Sequence, residues 1–251
     1  MLNKIINDFW FDKIDDIKEI DNDNEKLYYY IKCFQNGDFQ VKKEFVEYFL
    51  ASEKFQVFVI GMRLFMSISN HKDFNMLENF FVECDEEKLR VFLAYVQESM
   101  SLHVVPYLLG LFEEWEDTGV ECDIAECICG LIGKKYYEEE TYTIEQLGQY
   151  FVEFTSNHDI NRYYYNGEEC FIGNITKDII KISMDCYNEK LQFYTDQMPS
   201  IISNSTGVKC PVSYGVEIND EIINRLFDYV CVVASLSQEK GQKYFYNNKI
   251  D

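Results

Sequence analysis

The chain has 251 residues, 47% hydrophobic and 16% aromatic, with 44 acidic against 23 basic side chains and a formal net charge of −21. The hydrophobic content excludes a disordered chain, and the length fits one large domain or two small ones. The charge excludes a surface built for nucleic acid or anionic membrane and favours a basic partner, with solubility alone as the competing explanation.

Three prolines and 12 glycines leave few breakers for long helices. The nine cysteines are an odd number in a long chain, and the opening Met1–Trp10 is amphipathic, carrying Lys4 and Asp8. Reduced thiols in a cytoplasm are therefore expected, without a secretory leader. Nowhere do about 18 apolar residues run together, so no spanning helix is expected.

In chain order, Ile5, Ile6 and Phe9 share a helical face, and I-D-N-D-N at 20–24 interrupts it. The pattern resumes over Leu27–Phe34 and ends at Asn36-Gly37, a left-handed cap. Val41, Phe45 and Phe49 follow, spaced by four. Ser52 or Glu53 opens a helix carrying Phe55, Phe58, Val59, Met62, Phe65 and Met66. Phe74, Leu77, Phe80 and Phe81 mark a short helix, and Leu89, Leu93, Val96 and Met100 a longer one. All of this has helix period, with almost no alternation by two.

His103–Gly133 reads as a helix hairpin. Val105, Leu108, Leu109, Phe112 and Trp115 make one apolar stripe, with Pro106 in the first turn, where its missing N–H costs nothing. Gly119 closes the turn. Asp123 is placed as N-cap, with Glu126 completing a capping box. Ala125, Ile128, Cys129 and Ile132 make the second stripe, and Gly133 sits where a C′ glycine belongs. Neither helix can bury its stripe alone. Helix pairs begin near Val41, Lys72 and Leu102, a period of roughly thirty residues that points to a solenoid. On Pro106, Asp117, Val120 and Ile132-Gly133 the segment resembles a HEAT-type repeat. It departs at Glu121, where such repeats usually carry a basic residue, which weakens their inter-repeat ladder of Asp and Arg.

Ile144, Leu147, Phe151 and Phe154 predict another helix. In R-Y-Y-Y-N-G-E-E-C-F-I (162–172), Asn166-Gly167 predicts a β-hairpin through a type I′ turn, with an ordered aromatic loop as the alternative. Asn174 is read as the cap of a helix over Ile175–Tyr194, with Ile175, Ile179, Ile182 and Cys186 inward. Met198–Gly215, with two prolines, Gly207 and five Ser/Thr residues, reads as loop. Asp220 opens a helix through Ile223, Leu226, Phe227, Val230 and Ala234, and Lys240–Tyr246 is a basic, aromatic tail. The expected fold is mainly all-α. It comprises HEAT-like helical hairpins over 1–155 and a C-terminal helical region over 156–251 with a small β-hairpin near 163–172, packed on the first as one unit.

Chemistry is absent from the motifs. Gly130–Lys134 has the wrong spacing for a phosphate loop, and there is no G-x-S-x-G, H-E-x-x-H or C-x-x-C. Cys127 and Cys129 would point about 200° apart on a helix and cannot share an ion. His158-Asp159 matches the central pair of helical HD-type metal-dependent phosphohydrolases, with His103 and Asp185 as the further ligands. Against that, N-H-D-I-N reads as a polar loop. The acidic runs lack EF-hand spacing and read as solvated faces rather than Ca²⁺ or Mg²⁺ sites. No enzyme, cofactor or metal is expected.

A solenoid without a catalytic site offers a broad binding surface. A carboxylate-rich one fits basic proteins, and nucleic-acid enzymes stand out because their clefts attract phosphate. Y-Y-Y-N-G-E-E-C-F-I-G-N-I-T-K-D-I-I (163–180), with the terminal K-G-Q-K-Y-F-Y, resembles the mostly helical immunity proteins of bacterial polymorphic toxin systems, and among them immunity protein family 47. The resemblance covers most of the chain. It implies a cytoplasmic antidote that binds a cognate toxin, often a nuclease, and it supplies no catalytic residues. A generic HEAT-like adaptor and the HD-type phosphohydrolase are the alternatives. The expected contact residues are Glu113, Glu114, Trp115, Glu116, Asp117 and Glu121 in one turn, then Glu138, Glu139 and Glu140. Trp115 is the anchor candidate, its competing role being core.

Overall fold

The computed structural model describes residues 22–195 and 197–251; the amphipathic stretch expected around Ile5–Phe9 lies outside them. Among the described residues eleven α-helices dominate: α1 Asn22–Gln35, α2 Lys42–Leu50, α3 Phe55–Ile68, α4 Glu78–Glu83, α5 Glu86–Val96, α6 Val105–Glu114, α7 Val120–Leu131, α8 Ile144–Thr155, α9 Ile172–Glu189, α10 Gln197–Thr206 and α11 Asp220–Ala234. Two antiparallel hairpins complete the set, β1 (Tyr164–Tyr165) with β2 (Glu168–Glu169), and β3 (Tyr244–Phe245) with β4 (Asn248–Lys249). The chain is thus mainly α with small β-hairpins, as the helix period and Asn166-Gly167 indicate. It forms two compact units. The hairpin unit comprises residues 40–170 with Asp251, and the split unit, as described, comprises residues 22–39 and 171–250.

The hairpin unit stacks three helix pairs: α2 with α3, α4 with α5, and α6 with α7. The second pair is entered through a 3₁₀ turn at Asp73–Leu77. Their apolar stripes meet in an aromatic interior: Phe49 lies 6.1 Å from Phe58, Phe58 5.7 Å from Phe80, and Phe80 5.8 Å from Phe92, ring to ring. Each fully buried ring removes enough surface from water to stabilise the fold by about 1.5–3 kcal/mol.

Polar links join one pair to the next at offsets close to the repeat length. The Lys42 ammonium lies 2.5 Å from Asp73, both side chains buried. The Ser67 hydroxyl donates to buried Glu98 at 3.3 Å, and Arg63 pairs with Glu98 at 3.4 Å. The Tyr107 hydroxyl donates to Asn75 at 2.7 Å, and the Cys127 thiol to the Leu93 carbonyl at 3.4 Å. Arg90 pairs with Asp123. The offsets along the chain are 31, 31, 35, 32, 34 and 33 residues.

Asp123 is therefore not an N-cap. Gly119, at φ +81°, turns the chain straight into α7, which begins four residues early, and Asp123 faces Arg90 from within the helix. The helix through Leu89 stops at Val96 and tightens into a 3₁₀ turn over Gln97–Ser99. At its far end α7 closes as expected. The Gly133 N–H reaches the Gly130 carbonyl at 3.2 Å and Lys134 N–H the Cys129 carbonyl at 2.8 Å, the paired bonds of a Schellman cap.

That cap receives the first β-hairpin. Asn166 and Gly167 both have positive φ, 50° and 76°, as a type I′ turn requires. A Cβ on Gly133 would stand 2.5 Å from the Asn166 carbonyl oxygen, and one on Gly167 2.7 Å from Gly133 Cα, so only two glycines allow this approach. Tyr164 is buried with Leu102 and Ile132, and Phe151 and Phe154 of α8 cover them.

The split unit repeats the device. Its tail is a second type I′ hairpin rather than a plain basic tail, with Tyr246 and Asn247 at φ 49° and 60°. An aromatic residue tolerates that conformation here because the turn amides are claimed. Tyr246 N–H donates to Asn204 O at 2.6 Å, and Asn247 N–H to Ser205 O at 2.8 Å. Those carbonyls belong to α10, in the stretch expected as loop. Its hydroxyls fold back on the helix, Ser203 onto Pro199 O at 2.6 Å and Thr206 onto Ile202 O at 2.7 Å, and residues 201–206 are all buried. Hydroxyls satisfied this way can enter a buried helix that propensity disfavours. α9 starts at Ile172 rather than Ile175, with Phe171 as its cap residue, and ends at left-handed Lys190.

Removing Asp73 leaves a buried ammonium without its acid. Asp73→Ala is expected to lower unfolding free energy in urea by about 3–5 kcal/mol, and Lys42→Met with Asp73→Leu to recover most of that. A second test concerns His103, which packs against His71 (4.7 Å), itself stacked on Tyr163 (4.1 Å). Burial pushes the His103 pKa down. The unfolded chain then takes up a proton that the folded chain resists, so this contribution is full above about pH 6.5 and fades as pH falls below it. Thermal melts between about pH 7 and 5.5 are expected to fall less for His103→Gln than for the wild type.

Candidate functional site

The expected contact turn is tight. Trp115 ends α6, its N–H on the Leu111 carbonyl at 2.9 Å. The Trp115 carbonyl accepts the Thr118 hydroxyl at 2.6 Å, and that hydroxyl accepts the Val120 N–H at 3.2 Å. Asp117, at φ 63°, and Gly119 supply the two left-handed steps. The result holds Glu113, Glu114, Glu116 and Asp117 in solvent, with Trp115 half-buried at their centre. Glu121 is different. It is half-buried, and its Oε2 is shut off from water with no hydrogen-bond partner among the described residues.

Glu138, Glu139 and Glu140 do not join this cluster. They lie in the exposed loop after the other end of α7, a helix of 12 residues, so about 18 Å separates the two patches along its axis. Lys134 and Lys135 share that loop, Lys134 over the Tyr150 ring at 3.2 Å and Lys135 over Tyr137 at 4.7 Å, which offsets its charge.

What joins the 113–121 turn is the preceding turn, between α4 and α5. The Cys84 thiol is pushed up to about 11, first by burial and next by the charge of Glu114, and Phe81 of α4 stacks on Tyr107 of α6 at 4.9 Å. Asp85 caps α5 by accepting the Lys88 N–H at 2.8 Å, and Glu86 and Glu87 fill its first turn. Arg90 holds Glu86 at 3.0 Å and reaches Asp123 on α7. The acidic edge therefore runs through Asp85, Glu86, Glu87, Glu113, Glu114, Glu116, Asp117 and Asp123. Sequence reasoning missed Asp85, Glu86 and Glu87, and read Asp123 as an N-cap rather than a contact. The signal was the repeat itself, because 31 residues carry Cys84 onto Trp115.

Charge is also unevenly divided along the chain. Residues 40–170 with Asp251 hold 26 acidic and 10 basic side chains, a net of −16, while the remainder holds 18 and 13, a net of −5.

The residues considered for metal chemistry do not assemble. His158 Nδ1 sits 2.8 Å from the Phe154 carbonyl and its ring lies flat on Phe154 at 3.9 Å. Asp159 accepts the Asn161 N–H at 3.0 Å. Among the described residues no three His, Cys, Asp or Glu side chains meet in a group able to hold a metal ion. Cys127 and Cys129 are buried free thiols, and burial raises both pKa values. Among the described residues no helix is long and apolar enough to cross a membrane.

Nothing among curated proteins or solved structures matches the chain. The family model described as Immunity protein 47 matches residues 13–250, nearly the whole length and both compact units. A mainly helical chain matched over that span belongs to the immunity protein 47 family.

Proposed function

We propose that this immunity protein acts in the cytoplasm, without catalysis, by covering the cationic cleft of a basic, nuclease-type toxin with its acidic edge. Its three hairpins are read as HEAT-like repeats, and their stacked turns form the covering surface. The observation that carries this reading is the concentration of −16 in residues 40–170 and 251, with exposed carboxylates of consecutive turns set side by side. Such a field speeds the approach of a basic partner and loses strength as salt screens it. Carboxylates a few ångströms apart also resemble the phosphates that a nuclease cleft is built to receive. Glu121 adds a group whose buried oxygen gains from a donor on the partner. Trp115 supplies apolar area in the middle of the acids, where interface anchors are found.

The test uses the toxin domain encoded beside this gene. Wild-type association is expected to slow at least about tenfold between 50 and 500 mM salt. Replacing Glu113, Glu114, Glu116 and Asp117 together by Gln or Asn is expected to slow association at low salt by a similar factor, with little change in dissociation or melting temperature. Equal rates for variant and wild type would remove the edge from the mechanism. For Trp115→Ala, affinity is expected to fall about tenfold or more with only a small drop in melting temperature. A large melting drop with affinity kept would make Trp115 core.

A further inference from the structure

Helices α9 and α11 of the split unit run antiparallel. At one end the Tyr187 hydroxyl donates to Asp220 at 2.6 Å. Toward the other end a cavity of about 300 Å³ opens between them, walled by Ile172, Ile180, Val230, Val233 and Leu236. α11 carries a wider apolar arc than it buries. Leu226, Tyr229 and Val233 face inward. Ile223, Phe227, Val230 and Ala234, at i, i+4, i+7 and i+11, form a second stripe beside them, with Phe227 57% exposed. A helix normally spends such a stripe on a neighbour.

The polar groups of the cavity are already committed. Thr176 donates to the Ile172 carbonyl at 2.7 Å, and Gln238 to the Ser205 carbonyl at 3.0 Å. The exception is Lys177, exposed at the rim and paired with no acid among the described residues. The groove thus asks for an apolar group with an anion next to it. That is the opposite of what the acidic edge asks for.

We propose that this groove seats an apolar anchor side chain of the toxin, flanked by a toxin carboxylate that meets Lys177. The inference rests on the immunity reading and adds to it a second kind of contact. An acidic edge sets the rate of encounter, whereas a desolvated apolar anchor sets residence time.

The experiment measures binding and dissociation of the neighbouring toxin domain with full-length protein. Ala234→Trp fills the cavity from an exposed position, and Lys177→Glu reverses the rim charge; neither replaces a buried side chain. Each is expected to speed dissociation at least about tenfold, with association within about twofold and melting unchanged. A photo-crosslinking phenylalanine at Val230 is expected to capture the toxin. Unchanged dissociation in both variants, while wild type binds and protects cells, would overturn the inference and leave the immunity reading standing. A crosslink to residues 1–21 of the same chain would overturn it too, since the groove would then be filled internally. Failure of the wild type to bind or protect would instead remove the immunity reading itself.

Discussion

A buried ammonium is tolerated only where an acid is buried against it, and Lys42 meets that condition through Asp73 in the next helix pair. The same constraint recurs at Glu98, held by Arg63 and Ser67 from one pair back, while the Arg90–Asp123 pair repeats the link between pairs at the surface. Aromatic packing supplies most of the stabilisation, but apolar faces can slide by a turn at modest cost. Charge pairs at offsets of 31, 35 and 33 residues hold only in one register, so they fix each pair on the last. That register sets α5 against α7, where Arg90 holds both Glu86 and Asp123, and the acidic edge follows from it.

Like charges packed this closely repel, and the fold bears the cost in a particular place. The carboxylates of the edge stay in solvent, where water screens them, while buried acids such as Asp73 and Glu98 are each given a cation. The chain keeps its surplus acid at the turns, off the stacked faces. A surface of this kind is suited to meeting a basic protein quickly. It is less suited to holding one, which is why apolar area at Trp115 and along α11 matters to the account.

Local rules made some elements legible. Asn-Gly at 166–167 specifies its own turn, Pro106 and Gly133 mark the ends of their hairpin, and period alone located most helices. Other elements were decided at a distance. Tyr246-Asn247 carries no turn signature of its own; its positive φ values are held by carbonyls of α10, about forty residues earlier. α10 looked like loop because its Ser and Thr hydroxyls satisfy themselves only once Ile201 and Ile202 are buried. The acids at 113–121 were visible in composition. Their neighbours at 85–87 were visible only through the repeat, and the groove depends on pairing α9 with a helix about fifty residues away.

The most direct measurement is amide hydrogen exchange of the protein alone and saturated with its cognate toxin domain. Slowed exchange gathered in residues 83–87 and 113–123 is the result this account requires. Exchange in both turns that is the same with and without toxin, while another region becomes protected, would contradict it.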